Sequence, residues 1–234
     1  MKIAIMQPYF LPYIGYFQLI NSVDVFVIYD TIEFTKKGWI NRNRILVNNE
    51  AQLFSIPLKK DSDFLNVNQR FLSENWASEK TKLLNKIKGS YQKSPYYSEN
   101  IGLFLECFQF ENNNLFEFIL HSVKKICAVL DIKTNIIVAS SISINHELKS
   151  SEKVKAICKE LLADEYINTI GGIDLYDKND FNAAGIKLNF IKTSPFSYHQ
   201  NNQNFIPFLS VLDLFMFNSV TEIKEILNTQ FAIQ

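Results

Sequence analysis

The chain has 234 residues with 24 Lys plus Arg against 24 Asp plus Glu, so no net field draws it to a polyanion and nucleic acid is not an expected partner. A chain of this length buries roughly 70% of its unfolded surface, enough for a self-sufficient core. No apolar run approaches the roughly 20 residues that span a bilayer, and the opening MKIAIMQPYF is too short in apolar residues for a signal sequence, so a cytoplasmic protein without membrane insertion is expected.

Residues 1–6 read as a buried first strand stopped by Gln7 and Pro8, residues 13–21 carry apolar side chains at helical spacing, and residues 24–29 read as a second strand. A strand, helix, strand unit implies parallel pairing. In open parallel sheets the ligand crevice lies beyond the carboxyl ends of the strands, here marked by Gln7 and Asp30. Residues 31–46, TIEFTKKGWINRNRIL, are polar and irregular, and residues 52–58 predict a further strand. From Asn75 the pattern turns helical, with Trp76, Leu83, Leu84, Ile87 and Tyr91 near one face until Ser94 and Pro95 stop it. Helices over 100–110 and 115–130 follow, so that residues 75–131 form a helical insertion or cap. Alternation then returns: a strand over 136–144, a helix over 150–162, a strand over 165–169 before Gly171 and Gly172, a short helix over 178–184 ended by Gly185, and a strand over 186–191. Two helices close the chain, one beginning near Ser210 and one opened by the capping box of Ser219 and Glu222. With no repeat and no linker, the pattern predicts one α/β domain over residues 1–234, built on a mostly parallel Rossmann-like sheet with a helical insertion.

Two stretches stand out chemically. In the loop after the first strand, Pro8 and Pro12 fix the backbone while Tyr9 and Tyr16 can floor a pocket at a strand's carboxyl end; the other reading is a rigid turn with aromatic core residues. Further on, Lys36-Lys37-Gly38-Trp39-Ile40-Asn41-Arg42-Asn43-Arg44 alternates two arginines with two asparagines, so that in an extended chain Arg42 and Arg44 share one face and Asn41 and Asn43 the other. A pair of guanidinium forks suits phosphate or carboxylate, and asparagine can read sugar hydroxyls; a solvated charged loop is the alternative.

His146 lies just after a strand and is the candidate general base, His199 is a weaker rival, and His121 reads as a packing or surface residue within a helix. Three scattered histidines give no metal-ligand spacing, so no metal site is expected. Cys107, Cys127 and Cys158 lack CxxC spacing and fall in amphipathic helices, which fits buried thiols in a reducing compartment. Gly171 and Gly172 after a strand can admit backbone to a phosphate or form a tight turn.

The segment MQPYFLPYIGYFQLINSVDVFVIYDTIEFTKKGWINRNRIL resembles the opening of the WbqC-like family, in its Gln-Pro-Tyr start, its Pro-Tyr-Ile-Gly-Tyr-Phe turn, the strand ending at Asp30 and the Trp-Ile-Asn-Arg-Asn-Arg-Ile run. Weaker similarity continues through Cys158-Lys-Glu-Leu, Glu165-Tyr166, Gly171-Gly172, Tyr176 and the Ser210-Val-Leu-Asp213-Leu-Phe segment. The resemblance implies a place in O-antigen and related surface-polysaccharide biosynthesis, and transfer of glycine or another small acyl group onto an amino sugar. A fainter fold-level likeness links Tyr13-Ile14-Gly15-Tyr16 to the His-x-Gly-His loop of the nucleotidylyltransferase and pantoate ligase superfamily. Tyrosine stands here for both histidines, which removes the cationic imidazole that stabilises a triphosphate and disfavours ATP-driven adenylation.

The reading that joins residues and resemblance is an acyl or aminoacyl transferase acting on the amine of a nucleotide-linked amino sugar, with a thioester or aminoacyl donor. His146 is the leading base, with Asp30 and Asp213 as rivals. Arg42 and Arg44 anchor the diphosphate, and Gln7, Tyr9, Tyr16, Lys36, Trp39, Asn41, Asn43, Gly171, Gly172 and Tyr176 complete the substrate-binding set. The alternatives are a non-catalytic sugar-nucleotide or glycan-binding protein and an ATP-dependent amide ligase.

Overall fold

The computed structural model describes residues 1–62, 64–201 and 204–234. Its centre is a six-stranded sheet in the order β5-β2-β1-β6-β7-β8, formed by β1 (Lys2–Met6), β2 (Val25–Ile28), β5 (Asn135–Val138), β6 (Glu165–Thr169), β7 (Lys187–Thr193) and β8 (Phe231–Ile233). All pairings are parallel except that of β7 with the terminal β8, so the chain has an α/β fold with a mostly parallel, Rossmann-like sheet. The near-continuous apolar run of β1 follows from its place between β2 and β6, with both faces covered. Alternation sorts its side chains: Ala4 joins the larger core with Phe26, Ile28 and Ile167, while Ile3 and Ile5 join a smaller one with Val27, Tyr166 and Phe190.

From β1 the chain runs outward to β2 and β5, then crosses to β6 and β7 on the other side. The strand order therefore reverses between β1 and β6, and their carboxyl ends open the crevice where α/β sheets place ligands. On the larger core's side lie α1 (Ile14–Asn21), α7 (Val211–Phe217) and α8 (Val220–Thr229); on the other lie α5 (Ser150–Glu160) and α6 (Lys178–Ala183). The helical stretch consists of α2 (Trp76–Tyr91), α3 (Tyr97–Gln109) and α4 (Leu115–Val129), and α2 buries Trp76, Leu83, Ile87 and Tyr91, the face its periodicity predicts. Asn114 caps α4 by accepting from the amides of Phe116 and Glu117, and the Ser219–Glu222 capping box opens α8. Gly185, at φ +76°, supplies the left-handed residue that stops α6.

Three expectations are corrected. The stretch 31–46 is not irregular to its end: β3 (Arg42–Val47) pairs antiparallel with β4 (Glu50–Ser55) around Asn48 and Asn49, both at positive φ. Two left-handed asparagines form the kind of turn a tight hairpin requires, and the strand ends three residues earlier than the 52–58 pattern indicated. The strand expected over 136–144 stops at Val138, because Ala139–Ser141 turn as a 3-10 segment that lets the Ser140 amide donate to the Asp30 carboxylate at 3.0 Å. The terminal strand β8 carried no recognised pattern and forms by pairing with β7.

Candidate functional site

The loop after β1 is pinned from three sides. Phe10 N donates to the Ile40 carbonyl at 3.0 Å, Val211 N to the Pro12 carbonyl at 2.9 Å, and Ser210 Oγ to the Leu11 carbonyl at 2.7 Å. Leu11 sits at φ +43°, a strained backbone for a branched side chain, and holds there because its carbonyl also accepts from the amide of Asn43. Asn43 is fully enclosed; it donates to Phe10 as well and accepts from Tyr9 Oη at 3.1 Å and Arg44 N at 2.8 Å. Its hydrogen-bonding capacity is thus occupied by the loop together with the Arg44 amide. Tyr16 is buried too, donating to the Gln7 carbonyl at 3.0 Å with its ring edge-on to Phe26, and burial pushes its pKa well up. Tyr9 stays half-buried, 6.3 Å from both Tyr16 and Trp39 between ring centroids.

On the opposite face of β3, Arg42 and Arg44 each hold their guanidinium carbon 5.4 Å from the centroid of the Trp39 ring, which is 39% exposed. Arg42 donates to the Lys37 carbonyl, and Arg44 Nη2 to the Phe208 carbonyl at 3.2 Å. The Nε atoms of both are buried without a partner, and among the described residues no carboxylate forms an ion pair with either. Two cavities of about 410 Å³ flank this face. One is basic, with Arg42, Asn41, Lys36 and Arg70 in its wall; the other is aromatic, with Tyr13, Phe196, Tyr198, Phe205 and Phe208. Asn41 also donates to the Ile56 carbonyl at 2.7 Å, which fixes its amide in the basic wall.

At the carboxyl end of β2, Asp30 is 2% exposed and both its oxygens are engaged, one by Asn68 Nδ2 at 2.8 Å and the other by the Ser140 amide. His146 approaches the Ile142 carbonyl through Nε2 at 3.0 Å. A carbonyl only accepts, so in the neutral ring Nε2 carries the hydrogen and Nδ1 is left as a bare acceptor, buried and unpartnered. Beside it Lys153, 6% exposed, donates to the His146 carbonyl at 2.8 Å and lies 5.1 Å from the Tyr29 ring. Burial lowers the Lys153 pKa, against the pull of Glu147 and Asp30, and raises that of Tyr29 to about 12, helped by Tyr176 and Asp30. Tyr176 is half-buried, edge-on to Tyr166 and Phe181. Gly171 and Gly172 lie in a 3-10 segment, neither at positive φ, and a Cβ on Gly172 would meet the Asn168 amide at 2.5 Å. Asp213 is fully enclosed among Tyr91 Oη, Tyr198 Oη and Gln200 Nε2 at 2.8, 2.5 and 2.9 Å.

The protein-family comparison is decisive on kinship. The model of the WbqC-like protein family matches residues 7–225. The chain belongs to this family. It is also 27% identical over 232 residues, 97% of each chain, to Rv1507c of Mycobacterium tuberculosis, a protein described as uncharacterized. No solved structure gives a significant match. In this WbqC-like chain Trp39, Arg42, Arg44, Lys36 and Asn41 lie around one face, and His146 and Asp30 lie beyond the carboxyl ends of β5 and β2 with Tyr29 and Lys153. Asn43, Tyr16 and Asp213 are enclosed elsewhere. Arg70 and Lys153 were not singled out in the sequence; each looks like an ordinary surface cation there, and only burial sets it apart. Among the described residues no helix is long and apolar enough to cross a membrane, and no three His, Cys, Asp or Glu gather as metal ligands.

Proposed function

We propose that this WbqC-like chain is an acyl or aminoacyl transferase acting on the amine of a nucleotide-linked amino sugar in surface-polysaccharide biosynthesis. The observation that carries the reading is the pair of guanidiniums on Trp39, unmatched by any described carboxylate and flanked by a basic and an aromatic cavity. Such a face suits a diphosphate with rings on either side. In the reaction the amine nitrogen attacks the acyl carbon of a thioester donor. The new C–N bond forms, the C–S bond breaks, and the proton lost by the amine passes to a base and from it to the departing thiolate. Of the three candidates, His146 has a bare acceptor atom, Nδ1, whereas Asp30 and Asp213 have their oxygens engaged by donors. His146 is therefore the base in this proposal, and since its Nδ1 is buried the ring must turn outward for the amine to reach it.

The test incubates the purified protein with nucleotide amino sugars and either acyl thioesters or an amino acid plus ATP, and weighs the products. The expected result is a sugar nucleotide heavier by one acyl group, with turnover lost and binding kept in His146→Ala. No mass gain together with no sugar-nucleotide binding would sink the proposal. Tight binding without turnover would instead favour a sugar-nucleotide-binding protein, a reading supported by the enclosure of Asp213 and the full engagement of Asp30. Release of pyrophosphate or ADP only when an amino acid is present would point to an amide ligase.

A further inference from the structure

We propose that the basic cavity seats a phosphoryl group, with Arg70 as its buried anchor. Arg70 follows a 3-10 turn (Val67–Gln69) and is only 4% exposed. Its guanidinium lies over the Phe34 ring at 5.0 Å and donates to the carbonyls of Ser62 at 2.7 Å and Lys59 at 3.3 Å, while its Nε has no partner. Among the described residues it forms no ion pair. Among the described residues this guanidinium, removed from water, meets two neutral carbonyls and an aromatic face but no carboxylate, and a buried charge without an opposite charge beside it is retained at a cost.

The cavity beside it shows which charge that is. Arg42, Lys59 and Lys60 line the same space, and among the described residues one carboxylate, Asp61, shares it. Asp61 accepts from the Ser62 amide at 2.8 Å. Leaving Lys36 aside, four cations thus stand against one anion among the described residues, and the Nε of Arg42 is, like that of Arg70, buried and unpartnered. Two guanidiniums and two ammonium groups around about 410 Å³ match the charge and the several acceptor oxygens of a phosphoryl or diphosphoryl group better than a single carboxylate.

The seat is also rigid. Asn68, in the turn before Arg70, donates from its backbone to the Asp30 carbonyl at 3.2 Å and from its side chain to the Asp30 carboxylate; Leu115 N at the start of α4 donates to the Arg70 carbonyl at 2.9 Å. The carboxyl end of β2 and the start of α4 therefore hold Arg70 in place before any ligand binds. Arg44 does not line this cavity; its guanidinium reaches the carbonyl of Phe208, whose ring lines the aromatic one. Identification of the seated group as part of a sugar nucleotide rests on the reading above; the seat itself follows from charge and burial alone.

The probe is inorganic pyrophosphate, titrated calorimetrically into the full chain at low ionic strength, on the order of 50 mM, with malonate in parallel. Pyrophosphate is expected to bind saturably and more tightly than malonate. Arg70→Lys is expected to weaken it by roughly tenfold or more, since a point charge replaces a planar fork. Lys60→Gln, at an exposed position, is expected to weaken it by a smaller factor without moving the melting temperature, and Lys159→Gln on α5 to leave it unchanged. Absence of saturable binding, malonate binding as tightly, or equal affinity in Lys60→Gln and Arg70→Lys would overturn the seat. If Arg70→Lys does not fold, a Lys59→Gln, Lys60→Gln double variant decides, and unchanged affinity there overturns the proposal. Pyrophosphate bound through Arg70 while nucleotide amino sugars fail to bind would keep the seat and remove the sugar nucleotide. Sugar nucleotides bound equally by the native chain and Arg70→Lys would do the reverse.

Discussion

At Asp213 burial and hydrogen bonding oppose each other. Enclosure raises the pKa of its carboxyl group, while the donors Tyr198, Tyr91 and Gln200 act to lower it, and enclosure wins. The folded protein therefore holds this proton more tightly than the unfolded chain does. The stability contributed by that difference is fully present below the unfolded value of about 4 and is lost as pH rises through the folded value. Asp213→Asn removes the titration. The melting-temperature advantage of the native chain over this variant is expected to be widest near about pH 4 and to shrink as pH rises. An advantage that widened with pH would mean that the three donors hold the carboxylate as an anion. Either way the residue acts as a tie between α7, α2 and the segment around Tyr198, with Tyr91 in turn accepting from the Leu46 amide at 2.7 Å.

Between elements, the joint that matters most for the site is the one between the loop after β1 and the hairpin. Asn43→Ala would leave the Phe10 and Leu11 carbonyls and the Tyr9 hydroxyl without their present partner. Orphaned buried groups of this kind cost about 2 to 3 kcal/mol in total, and equilibrium denaturation is expected to show a loss of that order. A loss below about 0.5 kcal/mol would show that the loop holds its shape without the asparagine. The same joint explains why the hairpin was hard to read. Arginine and asparagine have low strand preference, so β3 reads as a loop until it is paired with β4 and its Asn43, Ile45 and Leu46 are buried. The helices were easier, since α2 and α4 each carry one apolar stripe at helical spacing.

Across the whole molecule, the two cores lie on opposite faces of one sheet, and the cysteines are divided between them. Cys107 and Cys127 belong to the larger core and Cys158 to the smaller. All three are buried, and burial pushes each thiol up to about 12. At neutral pH they are expected to react very slowly with an aromatic disulfide reagent. In rising denaturant all three should become reactive along the same transition that circular dichroism reports. Early reaction of Cys158 alone would mean that the layer of α5 and α6 opens before the rest.

The sequence by itself determined the types of the long helices and of the strands other than β3 and β8, the parallel character of the sheet, the helical stretch between its two halves and the shared face of Arg42 and Arg44, because these follow from local periodicity and chain connectivity. It also marked Gln7 and Asp30 as strand ends. What it left undecided is which polar residues remain available to a ligand. The alternation in Asn41-Arg42-Asn43-Arg44 has two faces, and only the packing of the loop after β1 decided that Asn43 points inward and the arginines toward Trp39. Asp213 and Arg70 look like ordinary charged residues until tertiary contacts enclose one among donors and the other beside a basic cavity. Burial is set by segments far apart in the chain, and it is burial, rather than residue type, that turns a common surface charge into one needing a partner.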